Sequence, residues 1–306
     1  MSERPVCDYE GSDYQSSFWD SGGREYEDRA EAIALRRLLP PAGILLLELG
    51  AGAGRNTPRY RGFEHVVLLD YSLTQLEQAQ QRLGASDRYT YVAADVNRLP
   101  IRDGAVDVAT MIRTLHHMSD APYALKQVRD TLRPGGHLVL EFANKLNLKA
   151  IVRYLFGRQN WSPFTLDPIE FESLNFDFHP SAVRKWLRSL DFHIERTLAV
   201  SHFRLQALKN RIPASILAAL DGVLQPTGAL WQLTPSVFMR ARRGGRRTDR
   251  LAAGVLAEHS RDPLRWLKCP NCSSEPLQQD ASGLVCLSCG RTWPVRDGIF
   301  DFRLRP

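Results

Sequence analysis

The stretch "ILLLELGAGAGR", Ile44 to Arg55, decides the fold. A near-continuous aliphatic run ends in Glu48 and then in glycines at alternate positions, Gly50, Gly52 and Gly54. A strand apolar on both faces has to be covered on both faces, as in a parallel sheet wrapped by helices. The glycines let the backbone come close to a ligand without side-chain interference. Their spacing, E-x-G-x-G-x-G, differs from the G-x-G-x-x-G that seats a dinucleotide pyrophosphate on a helix. A carboxylate at Glu48 suits a ligand carrying an amino group and repels a diphosphate.

Working outward, strand and helix alternate. "YEDRAEAIALRRLLP" (26–40) has helical spacing and stops at prolines. "HVVLLD" (65–70), "YTYVAAD" (89–95), "VDVATMI" (106–112) and "HLVLEFA" (137–143) read as strands. "YSLTQLEQAQQRL" (71–83) reads as a helix with Ser72 and Gln75 forming a capping box, and "DAPYALKQVRDTL" (120–132) as one capped by Asp120. This pattern implies a Rossmann-like α/β doubly wound sheet, with ligands bound beyond the carboxyl ends of its strands. The glycine loop, Asp70, Asp95 and "RTLHH" (113–117) then share one rim. Asp70 is placed to accept both hydroxyls of a ribose, Asp95 an exocyclic adenine amine, and the Val96 N–H to cap a ring nitrogen. These are roles for a nucleoside without phosphates.

Five motifs on this frame resemble those of the class I S-adenosylmethionine-dependent methyltransferases: "ELGAGAG" (48–54), "LLDYS" (68–72), "AADVNRLP" (93–100), "DVATMIRTLHHM" (107–118) and "LRPGGHLVLE" (132–141). They stand in family order and spacing, cover residues 44–142, and the closing strands "HIERTLAV" and "SVFMRAR" extend the likeness to Arg243. The resemblance implies a seven-stranded sheet with its last strand antiparallel. It implies that Gly50, Gly52 and Gly54 line the methionine moiety, Asp70 holds the ribose, and Asp95 with Val96 holds the adenine. Glu48, Ala51, Tyr71 and Arg113 are counted with these contacts. An N-terminal lid serves in related small-molecule enzymes, which makes Tyr26 a candidate to close over the cofactor, with Tyr14, Phe18 and Trp19 beside it.

Near the C-terminus "CPNCSSEPLQQDASGLVCLSC" spaces Cys269, Cys272, Cys286 and Cys289 as C-x2-C-x13-C-x2-C. Two such knuckles on a hairpin bring four thiolates to the corners of a tetrahedron, the closed geometry of structural zinc. A module this small needs the metal to fold. Its flanks, "LKCPNC…GLVCLSCGRTWPVRDGIFDF", resemble the small zinc-ribbon proteins that activate methyltransferases of tRNA, rRNA and translation factors. Those relatives are usually separate subunits. Fusion removes one reason to expect an obligate activator subunit. Cys7 reads as a bystander.

The expected organisation is an N-terminal arm (1–25), a methyltransferase domain (26–243) with substrate-side insertions at 146–180 and 204–224, a basic linker (244–261) and a zinc ribbon (262–306). Composition is that of an ordinary soluble globular protein, at 43% hydrophobic and 24% charged residues. No apolar run approaches the ~20 residues of a membrane helix, and the polar, acidic N-terminus is no signal peptide, so a cytoplasmic location is expected. From Arg240 onward there are 13 basic and 7 acidic residues, while the 27 of each before that point cancel. The excess suits a polyanion or is simply a solvated linker.

The chemistry expected is methyl transfer from S-adenosylmethionine, with structural Zn2+. His116 and His117 are the histidines this fold places near the methyl group, as candidate bases for a hydroxyl or carbon acid. The rim lacks the acidic-or-Asn, Pro, Pro, aromatic sequence of many amino-nitrogen methyltransferases. Cys7 is too distant in sequence to serve as a nucleophile. The aromatics of 154–178 could roof an apolar pocket or merely bury their own segment. An apolar or aromatic small-molecule acceptor is the leading expectation. RNA or a translation factor, with the Arg-rich run at Arg240, Arg242, Arg243, Arg246, Arg247 and Arg250, is the alternative. A non-catalytic cofactor-binding scaffold is the third.

Overall fold

The computed structural model describes residues 5–12, 17, 19, 21, 23–245 and 262–304. Helix α1 (Glu25–Leu38) opens with Glu25, Glu27 and Asp28 and ends with Arg36 and Arg37, charges that complement the helix dipole. Strand β1 (Gly43–Leu49) pairs in parallel with β2 (Phe63–Asp70) and β4 (Val106–Met111). Between them come α2 (Leu73–Leu83), β3 (Tyr89–Ala93) and, after β4, α3 (Ala121–Thr131) and β5 (Leu132–Ala143). Alternate residues of β1 feed different layers. Leu45, Leu47 and Leu49 pack toward α3, while Leu46 packs toward α1 and α2. Both faces of the sheet are therefore dry, as the apolar run demands.

The inserted segment contributes α4 (Leu148–Leu155) and a hairpin of β6 (Ile169–Glu172) and β7 (Asn175–Asp177). Then follow α5 (Pro180–Ser189), β8 (Phe192–Val200), α6 (Gln206–Lys209), α7 (Ala214–Leu224) and β9 (Ser236–Arg243). Strand β9 is antiparallel to both β5 and β8, as expected. The capping box at α2 is only half formed. Ser72 Oγ accepts from the Gln75 N–H, but the Ser72 N–H goes to Asp70 and the Gln75 side chain donates to Ser12.

The C-terminal module holds β10 (Leu277–Asp280), β11 (Gly283–Cys286), β12 (Thr292–Trp293), β13 (Val295–Arg296) and β14 (Ile299–Asp301). The first three form a small sheet of their own, but β13 and β14 do not. Strand β14 lies parallel to β3, with Ile299, Phe300 and Asp301 opposite Tyr91, Val92 and Ala93. The main sheet thus has nine strands in the order β13-β14-β3-β2-β1-β4-β5-β9-β8, rather than the expected seven. Strand β14 uses the ladder groups that an unpaired β3 edge would present to solvent, and β13 in turn pairs with β14. A second seam runs along residues 100–103: Ile101 bridges Leu267, Lys268 N–H donates to Pro100 O, and Arg102 N–H to Trp266 O. Trp266, Leu267, Trp293 and Phe302 share one buried cluster with the catalytic core. Of the expected basic linker, residues 246–261 lie outside the described residues.

Candidate active site

A cavity opens at the carboxyl rim of β1, β2, β3 and β4, where the strand order reverses. Three glycines shape it for three different reasons. Gly50, at φ 64°, would place a Cβ 2.2 Å from Thr114 Oγ1. Gly54, at φ 71°, packs against Ala79 and Leu83 of α2 and does not line the cavity. Gly52, at φ 52°, has open space where its Cβ would stand, so that space is left for a ligand. Its N–H donates to Asp70 Oδ2 at 2.8 Å.

Asp70 also accepts from the Ser72 N–H at 3.0 Å, and burial pushes its carboxyl up from the usual range. Asp95 accepts from the Asn97 backbone and side-chain amides. Of the residues singled out in the sequence, Asp70, Tyr71, Asp95, Val96, Gly50, Ala51 and Arg113 line the cavity. Two carboxylates at this rim accept donors and repel phosphates, which fits the hydroxyls and amine of a nucleoside.

Glu48 and Tyr26 are elsewhere. Glu48 is turned behind the loop, accepting from Thr57 Oγ1 at 2.6 Å and Tyr60 OH at 3.1 Å, and burial pushes it up to about 7. Its place on β1 directs it into the layer under α1, away from the ligand. Tyr26 is buried in α1, donating to Asp221 of α7 and accepting from the Phe203 N–H. It ties two helices together and closes over nothing. Of the arm aromatics named with it, Trp19 lines the cavity, as does Tyr9, while Tyr14 and Phe18 lie outside the described residues.

Acids on α1, missed in the sequence, organise the basic side chains here. Arg55 reaches Asp28 and Glu31, and its guanidinium sits 3.5 Å above the Trp19 ring. Arg113, at φ 55°, donates its N–H to Glu141 and pairs with the same Glu31. The available signal was Glu27 and Glu31 standing on the apolar stripe of α1, where a charge has to be paired.

His117 lines the cavity and His116 does not. His117 Nδ1 lies 3.0 Å from the Leu174 carbonyl at the tip of the β6–β7 hairpin. A carbonyl only accepts, so Nδ1 carries the proton and Nε2 presents its lone pair, with Tyr9 OH donating to it at 3.2 Å. Burial lowers the His117 pKa, and burial with the neighbouring His117 and Arg113 lowers that of His116 further. Cys7 also lines the cavity, contrary to its reading as a distant bystander. Burial raises its pKa, so it stands there as a neutral thiol and a poor nucleophile. Of the aromatic segment, Phe178 and Phe176 pack inward, whereas Tyr154, Phe156, Phe164 and Phe171 face solvent. The hairpin touches the site through Leu174, and of the two alternatives for these aromatics the roof is not formed, since none of them lines the cavity.

The four cysteines cluster as expected, every ligand sulfur lying within 4.8 Å of the others. Cys269 Sγ is 3.8 Å from Cys289 Sγ, and Cys272 Sγ is 3.5 Å from Cys286 Sγ. These separations exclude disulfides. They match the ~3.8 Å edge of a tetrahedron with sulfurs ~2.3 Å from a central zinc.

Residues 47–140 match the family described as "Methyltransferase domain", and residues 264–298 match "Trm112p-like protein". The 27-O-demethylrifamycin SV methyltransferase of Amycolatopsis mediterranei is 31% identical over 138 residues, which is 42% of this chain and 51% of that protein. A demethylmenaquinone methyltransferase of Clavibacter sepedonicus is 33% identical over 106 residues, covering 34% and 43%. The chain thus spans about half the length of these curated relatives. Among solved structures, an S-adenosylmethionine-dependent methyltransferase from Mesorhizobium loti superposes with a TM-score of 0.52 at 24% identity, over 71% of this chain and all of that one. A chain from the complex of the Haloferax volcanii Trm112 methyltransferase activator with a methyltransferase superposes with a TM-score of 0.53 at 16% identity, covering 76% and 98%. Among the described residues no helix is long and apolar enough to cross a membrane. With both family matches in register with this fold, the chain carries a methyltransferase domain and, on the same polypeptide, a Trm112p-like module whose cysteines cluster as a zinc ribbon.

Proposed function

We propose that the protein transfers a methyl group from S-adenosylmethionine to an oxygen or acidic carbon of an apolar or aromatic small molecule. The bound cofactor would supply an electrophilic sulfonium methyl. Asp70 and Asp95 would hold its ribose and adenine, and Gly52 leaves the space in which its backbone approach occurs. The observation that carries the acceptor chemistry is His117, a neutral imidazole with its Nε2 lone pair on the cavity side and its proton fixed at Nδ1 by Leu174. Such a group takes a proton from a hydroxyl or carbon acid as its nucleophilicity develops. Tyr9, whose hydroxyl now fills that lone pair, gives way to the acceptor or relays its proton.

A second reading, methylation of RNA or a translation factor, draws on the Trm112p-like module. Two observations weigh against it. Arg240 and Arg242 both pair with Glu195, so this part of the basic run is locally neutralised. The module's β14 is already committed to β3. Arg246, Arg247 and Arg250 lie outside the described residues.

The first test is calorimetric titration with S-adenosylhomocysteine, followed by methyl transfer to phenols, hydroquinones and total small RNA in parallel. Binding with transfer to the small aromatics is expected. Transfer to RNA alone would reverse the order of the two readings, and no binding would reject both. Asp70→Ala should weaken S-adenosylhomocysteine by about 10- to 100-fold, the worth of one or two hydrogen bonds to a charged group. Unchanged affinity would remove Asp70 from the ribose site.

For the acceptor found in that panel, His117→Gln should lower kcat by about 100-fold or more while leaving KM for the cofactor within about threefold. Because burial depresses the His117 pKa, the wild-type acid limb should lie below pH ~6.5, the usual histidine value, and disappear in the variant. The stability linkage has the same sign. The unfolded chain binds the extra proton first, so stability from this group is present above pH ~6.5 and is lost as pH falls below it. An unchanged pH profile in His117→Gln would exclude His117 as the base.

A further inference from the structure

Among the described residues, Arg303 links the zinc-ribbon module to the segments that border the candidate active site. Arg303 stands two residues beyond the end of β14, and its side chain is only 7% exposed. Its Nε and Nη2 donate to the two oxygens of Asp301, at 2.9 and 3.0 Å. Asp301 itself is buried and paired with Ala93 of β3, so the guanidinium is anchored to the main sheet. The remaining Nη1 donates to Glu10 at 3.0 Å and to the Tyr71 carbonyl at 3.3 Å. One planar fork therefore joins the ribbon, the loop after β2 and the N-terminal arm. A flexible ammonium cannot reproduce that geometry.

The arm matters because Pro5, Val6, Cys7 and Tyr9 form one wall of the cofactor cavity, and Tyr9 is the residue bonded to His117. Its side chains from 5 to 12 are all exposed or half-buried, so little apolar burial holds it down. What holds it is polar. Glu10 accepts from the Leu73 and Thr74 N–H groups at the start of α2, at 3.0 and 3.1 Å, as well as from Arg303. Gly11 N–H donates to Thr74 Oγ1 at 3.1 Å. A carboxylate over a helix N-terminus is favourable but partly solvated. The nearly buried Arg303 is the contact that water replaces least well.

We infer that Arg303 is a positioning residue through which the ribbon clasps the arm, by way of Glu10, over the cofactor cavity. The module thereby sets the fraction of molecules whose cavity is complete, and the apparent cofactor affinity scales with that fraction. This rests on the proposal that the cavity takes S-adenosylmethionine, but the clasp itself has an independent readout.

Arg303→Gln, Glu10→Ala and the double variant would be compared with the intact chain by zinc content, limited proteolysis of the arm and titration with S-adenosylhomocysteine. The expected result is wild-type zinc, at least about tenfold faster arm cleavage, and about tenfold weaker binding in each single variant. The double variant should lose less than the two singles added together, since both remove the shared Glu10–Arg303 contact. Wild-type arm protection and wild-type affinity in Glu10→Ala would overturn the clasp. That variant alters an exposed side chain outside the ribbon, so it decides the matter even if Arg303→Gln fails to fold. Should the wild-type chain bind no S-adenosylhomocysteine, the cofactor reading fails while arm proteolysis still decides the clasp.

Discussion

Gly50→Ala is expected to abolish measurable binding of S-adenosylhomocysteine and to lower the melting temperature by several degrees. The added methyl would stand 2.2 Å from Thr114 Oγ1, 2.7 Å from its Cγ2 and 2.9 Å from its Cβ. Thr114 cannot step aside cheaply. Its hydroxyl lies 3.1 Å from both the Leu49 and Ile112 carbonyls, donating to one of them, and it begins the turn that carries His117. The left-handed backbone adds ~1–2 kcal/mol for any residue with a Cβ. Overpacking adds ~1–3 kcal/mol. Together these approach a good part of a domain's margin of ~5–15 kcal/mol. Gly52→Ala is the informative companion, since its Cβ meets nothing closer than Gln75 Oε1 at 3.7 Å. That variant should fold nearly normally, losing ~1–2 kcal/mol to the backbone, and still bind poorly, because its methyl occupies the ligand's space. If Gly50→Ala binds as tightly as the wild type, the close approach of the β1 loop to Thr114 is not what shapes this cavity.

Removing the metal should have the other large effect. Cys269 and Cys286 are fully buried, and the module around them is too small to hold together on its own core. Structural zinc contributes ~10–16 kcal/mol of apparent folding free energy to comparable peptides. Cys269→Ser with Cys286→Ser, or prolonged chelation, should therefore reduce zinc from about one per chain to none. The module should unfold, exposing Trp266, Trp293 and Phe302. Amide exchange should report this beyond the module itself, because β3 would lose its parallel partner β14. Protection at Tyr91 and Ala93, whose backbone groups face β14, should fall, while that of the β1–β4 pair persists. Zinc-free protein with full protection along β3 would show that the edge strand is held without the metal.

Much of this arrangement was legible in the sequence, because it follows from local patterns. Apolar runs marked the strands, the glycines and the strand-end acids Asp70 and Asp95 marked the rim, and the knuckle spacing gathered the four cysteines. What escaped depends on partners distant in the chain. Glu48 turns inward by its place on β1, but the partners it meets there, Thr57 and Tyr60, are brought by the chain that follows the glycine loop. Tyr26 was read as a lid because nothing local announces its bond to Asp221. Cys7 and Tyr9 reach the cavity only because Glu10 is caught by residues of α2 and of the ribbon. The half-formed capping box at Ser72 is instead a local competition, since Asp70, two residues earlier, takes the N–H that the pattern assigns to Gln75.

The parallel pairing of β14 with β3 also constrains how the protein is made. Asp301 completes a ladder begun at Ala93, about two hundred residues earlier, and so adds the slow kind of contact that forms late. During synthesis the sheet emerges with β3 as an open edge, apolar on both faces and able to pair with a neighbouring nascent chain. Because the strand that covers this edge requires a folded ribbon, metal supply during translation becomes a determinant of yield. Zinc-starved expression should give aggregated full-length chain, and zinc added after the edge has self-associated should rescue little of it.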